Sequence, residues 1–303
     1  MFGLNCDSGL ALVQNQSGPF DLAKFGAELI RFPGGTWGNF YDWRTGWARP
    51  GYVEWADAAY SNGKHFNLDD LLRHFQPSQK VLWTLNPLTD SLLSNLDFLH
   101  AAKAKGFTVE YIEIGNELYQ ANCPDCARVW PDGKIHASEM TQWVTAIHRE
   151  FPGAKVAVTG SADTGGRCDG WNEALADTEA DALTLHPYCN LRADALTAWQ
   201  ALEAWHGNLQ RALSTVPAGL DVWVTEYGCM DVDWATGKHG SAVGTQTQAW
   251  VQKVMRWFMG QEPRIKIAIL HSLCGIGEDK CGLYNGANGE PFNGLTETGT
   301  LML

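Results

Sequence analysis

Two glutamates stand out for where they fall. One closes Ile114-Gly115-Asn116-Glu117, the other sits in Trp223-Val224-Thr225-Glu226-Tyr227-Gly228, and both follow short apolar, β-prone runs. A carboxylate at the carboxyl end of such a strand points into the mouth of a parallel barrel, where catalytic groups collect. Two carboxyls there, one protonated and one ionised, suit the cleavage of an acetal: a proton for the leaving oxygen and an anion for the anomeric carbon. Glu117 and Glu226 are the candidate catalytic pair; the competing reading is a salt bridge at the barrel rim. Glu113 is a tempting third carboxylate. If the strand runs on through Glu117, the two share a face but lie about 13 Å apart in rise, so Glu113 is expected to be a buried structural group paired with a cation.

These glutamates need elements to hold them. Runs rich in Val, Ile, Leu and aromatic residues alternate with segments of helical period, the pattern of βα units. Strands are expected at 2–6, 28–32, 80–85, 109–114, 155–159, 181–185, 221–225 and 265–270, and helices at 68–75, 92–105, 137–151, 193–214 and 245–259. A weaker helix is expected at 168–177, a short one near 20–25, and a last one, apparently cut short, at 296–303. Eight such strands predict a (β/α)8 TIM barrel, a fold that accommodates a chain of this length as a single domain, here 1–303. Glu117 and Glu226 then follow strands four and seven, across the mouth from each other. Two long connections, 33–65 and 119–135, leave the carboxyl ends of strands two and four, where substrate contacts are expected.

Composition narrows the substrate. The 22 Lys plus Arg against 34 Asp plus Glu leave a formal charge of −12, with no basic run, so nucleic acid is not an expected partner. No apolar stretch is long enough to cross a membrane. The 14 tryptophans supply flat surface on which the C–H faces of sugar rings stack, although any one indole can equally be core. Trp37, Tyr41, Trp43, Trp47, Trp130 and Trp234 are the candidate platforms. The eight cysteines favour an oxidising compartment, so a secreted or periplasmic enzyme is expected. Cys123-x-x-Cys126 reads as a small disulfide-closed loop, in preference to zinc or a redox dithiol, since no second ligand pair follows at finger spacing; Cys274 and Cys281 are a similar candidate pair. Asn15-Gln16-Ser17 is a formal glycosylation sequon. There is no GxSxG, P-loop or HExxH; Gly275-Ile276-Gly277 lacks a third glycine, and Asp231-Val232-Asp233 lacks the remaining calcium ligands. No metal and no cofactor are expected.

Around the two glutamates the chain resembles clan A of the glycoside hydrolases. Retaining members carry Asn-Glu after strand four as the acid/base and Glu after strand seven as the nucleophile, matched by Asn116-Glu117 and Glu226. Arg31-Phe32-Pro33-Gly34-Gly35 with Tyr41-Asp42-Trp43 is similar to the segment after strand two in the arabinofuranosidase and endoglucanase family of that clan. Asn86 after strand three and His186-Pro187-Tyr188 after strand six extend the resemblance around the barrel. At strand eight, where the clan often has Trp, this chain has His271-Ser272-Leu273, and the β-sandwich that usually accompanies the arabinofuranosidases has no counterpart.

The resemblance implies further substrate-site residues: Arg31, Trp37, Trp43, Asn86, Asn116, His186, Tyr188, Tyr227 and His271. Asn116 can hydrogen-bond a sugar 2-hydroxyl, and Arg31 can keep Glu226 ionised or form a rim salt bridge. Tyr188 or Tyr227 can orient the nucleophile, and His186 either lines the mouth or is structural. The expected activity is endo-hydrolysis of a neutral β-glycan (cellulose, β-glucan or xylan) with retention. Exo-acting α-L-arabinofuranosidase activity is the alternative, and a non-catalytic carbohydrate-binding barrel is the alternative of another class. Beyond a polysaccharide or oligosaccharide no partner is expected; the chain is read as a monomer that could belong to a larger modular protein.

Overall fold

The structure, a computed structural model, describes residues 1–6, 22–49, 66–121, 123–191, 197–230, 232–233, 238–239, 245–271, 274–275, 284–285 and 302. Eight strands form a closed barrel: β1 (Phe2–Asn5), β2 (Leu29–Phe32), β3 (Lys80–Leu85), β4 (Tyr111–Ile114), β5 (Lys155–Thr159), β6 (Ala182–Leu185), β7 (Asp221–Tyr227) and β8 (Ile265–Leu270). Each pairs in parallel with its neighbours, and β8 closes on β1 through Phe2↔Ala268. This is the (β/α)8 TIM barrel, with all eight expected strands within two residues of their bounds at each end.

Side chains on a strand alternate between faces. Leu29, Leu82, Ala157, Ala182, Trp223, Ile267 and Ile269 form one buried cluster, the plug inside the barrel. Their neighbours Ile30, Val81, Trp83, Ile112, Val156, Leu183, Val222 and Ala268 belong to the second cluster, between barrel and helices. Trp83 illustrates this outer layer: it is fully buried, meets Phe98 and Phe107 edge-on, and donates Nε1 to the Thr108 carbonyl at 2.9 Å. Truncating a side chain so placed costs about 3–5 kcal/mol.

Two positions further along the inward face, towards the carboxyl ends, the plug gives way to polar groups: Arg31 follows Leu29, Thr84 follows Leu82, and Glu113 follows Tyr111. The floor of the mouth is therefore polar by construction. The register of β7 against β8 shifts between Val224 and Tyr227. A shift of this kind re-aims the residues it contains, and it falls where Glu226 leaves the barrel.

The principal helices are α1 (Leu68–His74), α2 (Leu92–Ala104), α3 (Pro124–Val129), α4 (Gly133–Glu150), α5 (Ala198–Thr215) and α6 (Thr245–Gln261). Their starts follow capping side chains. Asp132 accepts from Lys134 N and Ile135 N, so α4 begins at Gly133, ahead of the expected 137. A reciprocal box of Thr197 and Gln200 starts α5 at Ala198, later than the expected 193. The weak helix at 168–177 resolves into two 3-10 turns, Gly166–Cys168 and Glu173–Leu175, and the short early one into Leu22–Phe25.

After β2 the chain makes one helical turn, Gly35–Gly38, and a hairpin of Tyr41–Asp42 with Trp47–Ala48. After β4 the loop carries α3, and Cys123 and Cys126 are joined as a disulfide at its start. The sequon at Asn15, Trp234, Asp231, Cys281 and the expected last helix lie outside the described residues. Among the described residues no helix is long and apolar enough to cross a membrane.

Candidate active site

The centre of the mouth is a buried cation. Arg31, at the end of β2, has no exposed surface and splits its guanidinium three ways. Nε pairs with Glu113 Oε1, Nη1 donates to Glu226 Oε1 at 2.5 Å, and Nη2 donates to Asn116 Oδ1 at 2.7 Å. Burying a guanidinium is tolerable only when it is paired and hydrogen-bonded in this way. Glu113 also accepts from the Thr84 hydroxyl at 2.7 Å, its register partner on β3.

Glu113 is thus the structural carboxylate expected, but for a different reason. Strand β4 ends at Ile114, Gly115 turns at φ +78°, and Glu117 itself stands at φ +47°, so rise along a strand does not describe the step from Glu113 to Glu117. A Cβ on Gly115 would lie 2.5 Å from Leu118 Cδ1, so glycine is required both by conformation and by space. A non-glycine residue with positive φ costs about 1–3 kcal/mol and occurs preferentially where a side chain must be aimed. Asn39, from the loop after β2, clamps the turn: Asn116 N donates to its Oδ1 at 2.8 Å and its Nδ2 donates to Asn116 O at 2.6 Å.

Glu226 is buried and held on both oxygens. Besides Arg31, Oε1 accepts from Asn5 Nδ2 at 3.5 Å; Oε2 accepts from the Tyr188 hydroxyl at 2.5 Å. Burial alone would push its carboxyl pKa up, but the charges of His186, Arg31 and His271, with the Tyr188 hydroxyl, outweigh it and hold the pKa far below the carboxylate range. Glu226 is therefore ionised. His186 lies between the two glutamates, Nδ1 being 3.0 Å from Glu117 Oε1 and 3.7 Å from Glu226 Oε2, while Nε2 meets Thr225 Oγ1 at 2.9 Å. Burial lowers the histidine's pKa, yet Glu226 and then Glu117 more than offset it, so the net shift is upward. Glu117 is partly buried, its side chain 16% exposed; Gln120 Nε2 donates to its Oε2 at 2.5 Å and Tyr119 OH to its Oε1 at 3.4 Å.

Of the residues singled out in the sequence, Glu117, Glu226, Arg31, Asn116, His186, Tyr188 and His271 come together here. His271 Nδ1 meets Asn5 Nδ2 at 2.9 Å, and its ring lies edge-on to Tyr188. Four others do not reach the centre. Tyr227 belongs to the cluster between barrel and helices, and its hydroxyl is buried without a hydrogen-bond partner; with Glu226 turned into the mouth, the next residue faces the helices. Asn86 spends its amide on the chain, donating to Tyr41 O and Thr89 Oγ1 and accepting from Thr89 N. Trp37 is 4% exposed and packs edge-on to Tyr41. Trp43 stacks on Phe98, lies beneath the Arg44 guanidinium, and donates to Ser94 Oγ at 3.2 Å. The other candidate platforms divide. Trp130 is wholly buried against His136 and Tyr41 donates its hydroxyl to Phe66 O, whereas Trp47 is exposed.

Three contributors went unnoticed in the sequence. Asn5 carried a signal, a polar side chain at a strand end, whereas Asn39, after the helical turn Gly35–Gly38, did not. Arg167 carried none: it gathers the carbonyls of Leu118, Tyr119, Gln120, Cys126 and Trp130, and so sets the loop that holds Glu117.

Glu117, His186 and Glu226 offer ligand atoms within 4.8 Å of one another, a spacing a metal ion could use. The Arg31 guanidinium already stands against Glu226, so a divalent ion would share a buried corner with a fixed positive charge. The arrangement suits proton transfer and nucleophilic attack better. A closed parallel barrel with one carboxyl just past the end of β4 and another near the end of β7, the latter held ionised, is suited to glycoside hydrolysis. The profile described as glycosyl hydrolase catalytic core matches residues 121–286, and the chain belongs to that family.

No curated protein sequence matches the chain. Solved structures do. A family 51 α-L-arabinofuranosidase from Bifidobacterium longum is 16% identical, with a TM-score of 0.69 over 94% of this chain and 64% of that one. The thermostable family 51 α-L-arabinofuranosidase from Thermotoga petrophila is 11% identical, with a TM-score of 0.65 over 99% and 69%. A GH128 subgroup I endo-β-1,3-glucanase from Amycolatopsis mediterranei, in complex with laminarihexaose, is 16% identical, with a TM-score of 0.57 over 99% and 97%. The chain thus spans about two thirds of the length of the arabinofuranosidases and nearly all of the glucanase. At these identities the likeness establishes the barrel fold alone.

Proposed function

We propose that the protein is a retaining, endo-acting glycoside hydrolase of neutral β-glucan, with β-1,3-glucan the first substrate to test. One observation carries the reading: carboxylate oxygens of Glu117 and Glu226 lie within 4.8 Å of each other. Retaining enzymes hold their carboxyls about 5–5.5 Å apart, whereas inverting ones leave about 6.5–9.5 Å for a water. In this reading Glu226 attacks the anomeric carbon while Glu117 gives its proton to the departing oxygen. Glu117 then takes a proton from the water that releases the glycosyl group. Arg31 and Tyr188 keep Glu226 ionised and aimed, and Asn116, with Oδ1 turned to Arg31, offers Nδ2 to the sugar 2-hydroxyl. The likeness to an endo-β-1,3-glucanase in complex with laminarihexaose supports polymer cleavage.

The higher TM-scores of the arabinofuranosidases favour exo-release of arabinose as the second reading. The disulfide at Cys123 and Cys126 supports a secreted or periplasmic location. Incubation with laminarin, cellulose, xylan and arabinan, followed by product chromatography and NMR of the newly formed anomer, tests both readings. Oligosaccharides from laminarin with retained configuration support the first, and free arabinose the second. Glu117→Gln and Glu226→Gln should each abolish turnover. A parent chain that binds these polymers but cleaves none is a non-catalytic barrel.

A further inference from the structure

A cavity of about 760 Å³ opens beside the residues that hold Glu117, and Tyr188, the donor to Glu226, also lines it. Its near wall is Tyr119, Gln120 and His186, the three residues bonded to the Glu117 carboxylate. The far wall is polar. Asp163, from the loop after β5, faces Asn208 and Arg211 of α5. Arg211 donates Nη1 to Asn208 Oδ1 at 2.8 Å, and no ion pair within 4.0 Å joins it to Asp163. The remaining guanidinium N–H groups and the Asp163 carboxylate therefore remain available to a ligand. The residues on the opposite side of the catalytic pair, Asn5, Arg31, Asn39 and His271, take no part in this wall.

A general acid must stand beside the oxygen it protonates, so the departing half of a substrate lies on the side of Glu117. Pockets that enclose drug-sized ligands span about 300–1,000 Å³, a range that suits a disaccharide. A carboxylate and a guanidinium facing one cavity, unpaired with each other, suit vicinal hydroxyls, which both donate and accept; an anionic group would satisfy only the guanidinium, and an apolar one neither.

We infer that this cavity is the leaving-group site, that it takes a neutral, disaccharide-sized carbohydrate, and that Asp163 and Arg211 determine its specificity by hydrogen-bonding sugar hydroxyls. The inference rests on the glycosidase reading above.

The test uses two substrates with the same donor half, laminaripentaose and 4-nitrophenyl β-laminaribioside, the second leaving as a small phenol. The readout is the ratio of their kcat/KM values in the parent, Asp163→Asn and Arg211→Ala. Each variant should lower the ratio of pentasaccharide to aryl glycoside about tenfold, the worth of one hydrogen bond to a charged group, mainly through KM. Arg211→Lys should recover part of it. Arg211 and Asp163 are both exposed, and circular dichroism with thermal melts verifies that each variant folds. A ratio within about twofold of the parent in both variants overturns the assignment and leaves the glycosidase reading intact. A parent chain that cleaves neither substrate overturns the β-1,3-glucan reading and this assignment with it.

Discussion

The Tyr188 hydroxyl donates to Glu226 Oε2 at 2.5 Å, on the oxygen that Arg31 leaves untouched. Each Glu226 carboxylate oxygen thus has its own donor, and the carboxylate cannot swing without losing one. Tyr188→Phe removes a hydrogen bond to a charged group, worth about 1.5–3 kcal/mol, so kcat/KM on the cleaved glucan should fall about 10- to 100-fold. The hydroxyl also helps lower the Glu226 pKa. Its loss raises that pKa, and the acid limb of the pH profile should move to higher pH. A profile that keeps its acid limb while activity falls would show that Tyr188 acts on something other than Glu226.

Tyr227→Phe is the contrasting change. That hydroxyl is buried with no hydrogen-bond partner, and burial pushes its pKa up. Removing an unsatisfied buried group relieves a desolvation cost of about 1–3 kcal/mol. The variant should melt at or above the parent's Tm and keep its kcat/KM within about twofold. A large loss of activity would place Tyr227 back in the site.

How far the site could be read from sequence depended on what each inference used. Barrel strands were legible because short apolar runs rich in Val, Ile and Leu alternate with longer segments of helical period. Glu226 was legible from its place at the carboxyl end of a strand, whereas Arg31 and Asn116 were implied by the resemblance to clan A. An indole in a loop has two places to go. Trp37 and Trp130 went to the core, where burial of a large ring favours them as strongly as a sugar would. Tyr227 was misread because a one-residue step along β7 changes the face, and the register shift beside it leaves no local mark. Asp163, Arg167 and Arg211 sit in segments of no distinctive pattern; only the closed barrel brings them to Glu117. The location of Glu113 was anticipated, although the strand on which that argument relied ends three residues before Glu117.

Arg31 links structure to chemistry, and the two can be separated. Arg31→Met leaves Glu113 and Glu226 buried without their cation, a loss of about 3–5 kcal/mol, and the Tm should drop accordingly. Neutralising the structural partner as well, in Arg31→Met with Glu113→Gln, removes one of the two stranded charges. Thermal denaturation should then recover part of the loss, while kcat/KM stays at the single-mutant level because Glu226 still lacks its donor. Recovery of activity in the double variant would mean that Arg31 serves Glu113 alone.

His186 couples protonation to both glutamates, and the direction of the effect follows from its raised pKa. A group whose pKa is higher in the folded than in the unfolded chain adds stability that is fully present below the unfolded value, about 6.5 for histidine, and is lost as pH rises through the folded value. His186→Asn keeps a hydrogen-bonding atom near Glu117 and removes the titration. The Tm gap between parent and variant should be widest below about pH 6.5 and narrow as pH rises above it. Activity adds an independent sign. After burial, which raises the Glu226 pKa, His186 is the strongest influence lowering it, so its removal should carry the acid limb of kcat/KM to higher pH. A Tm gap of constant width from acid to alkaline pH would show that His186 stays neutral in the fold and holds Glu117 by geometry alone.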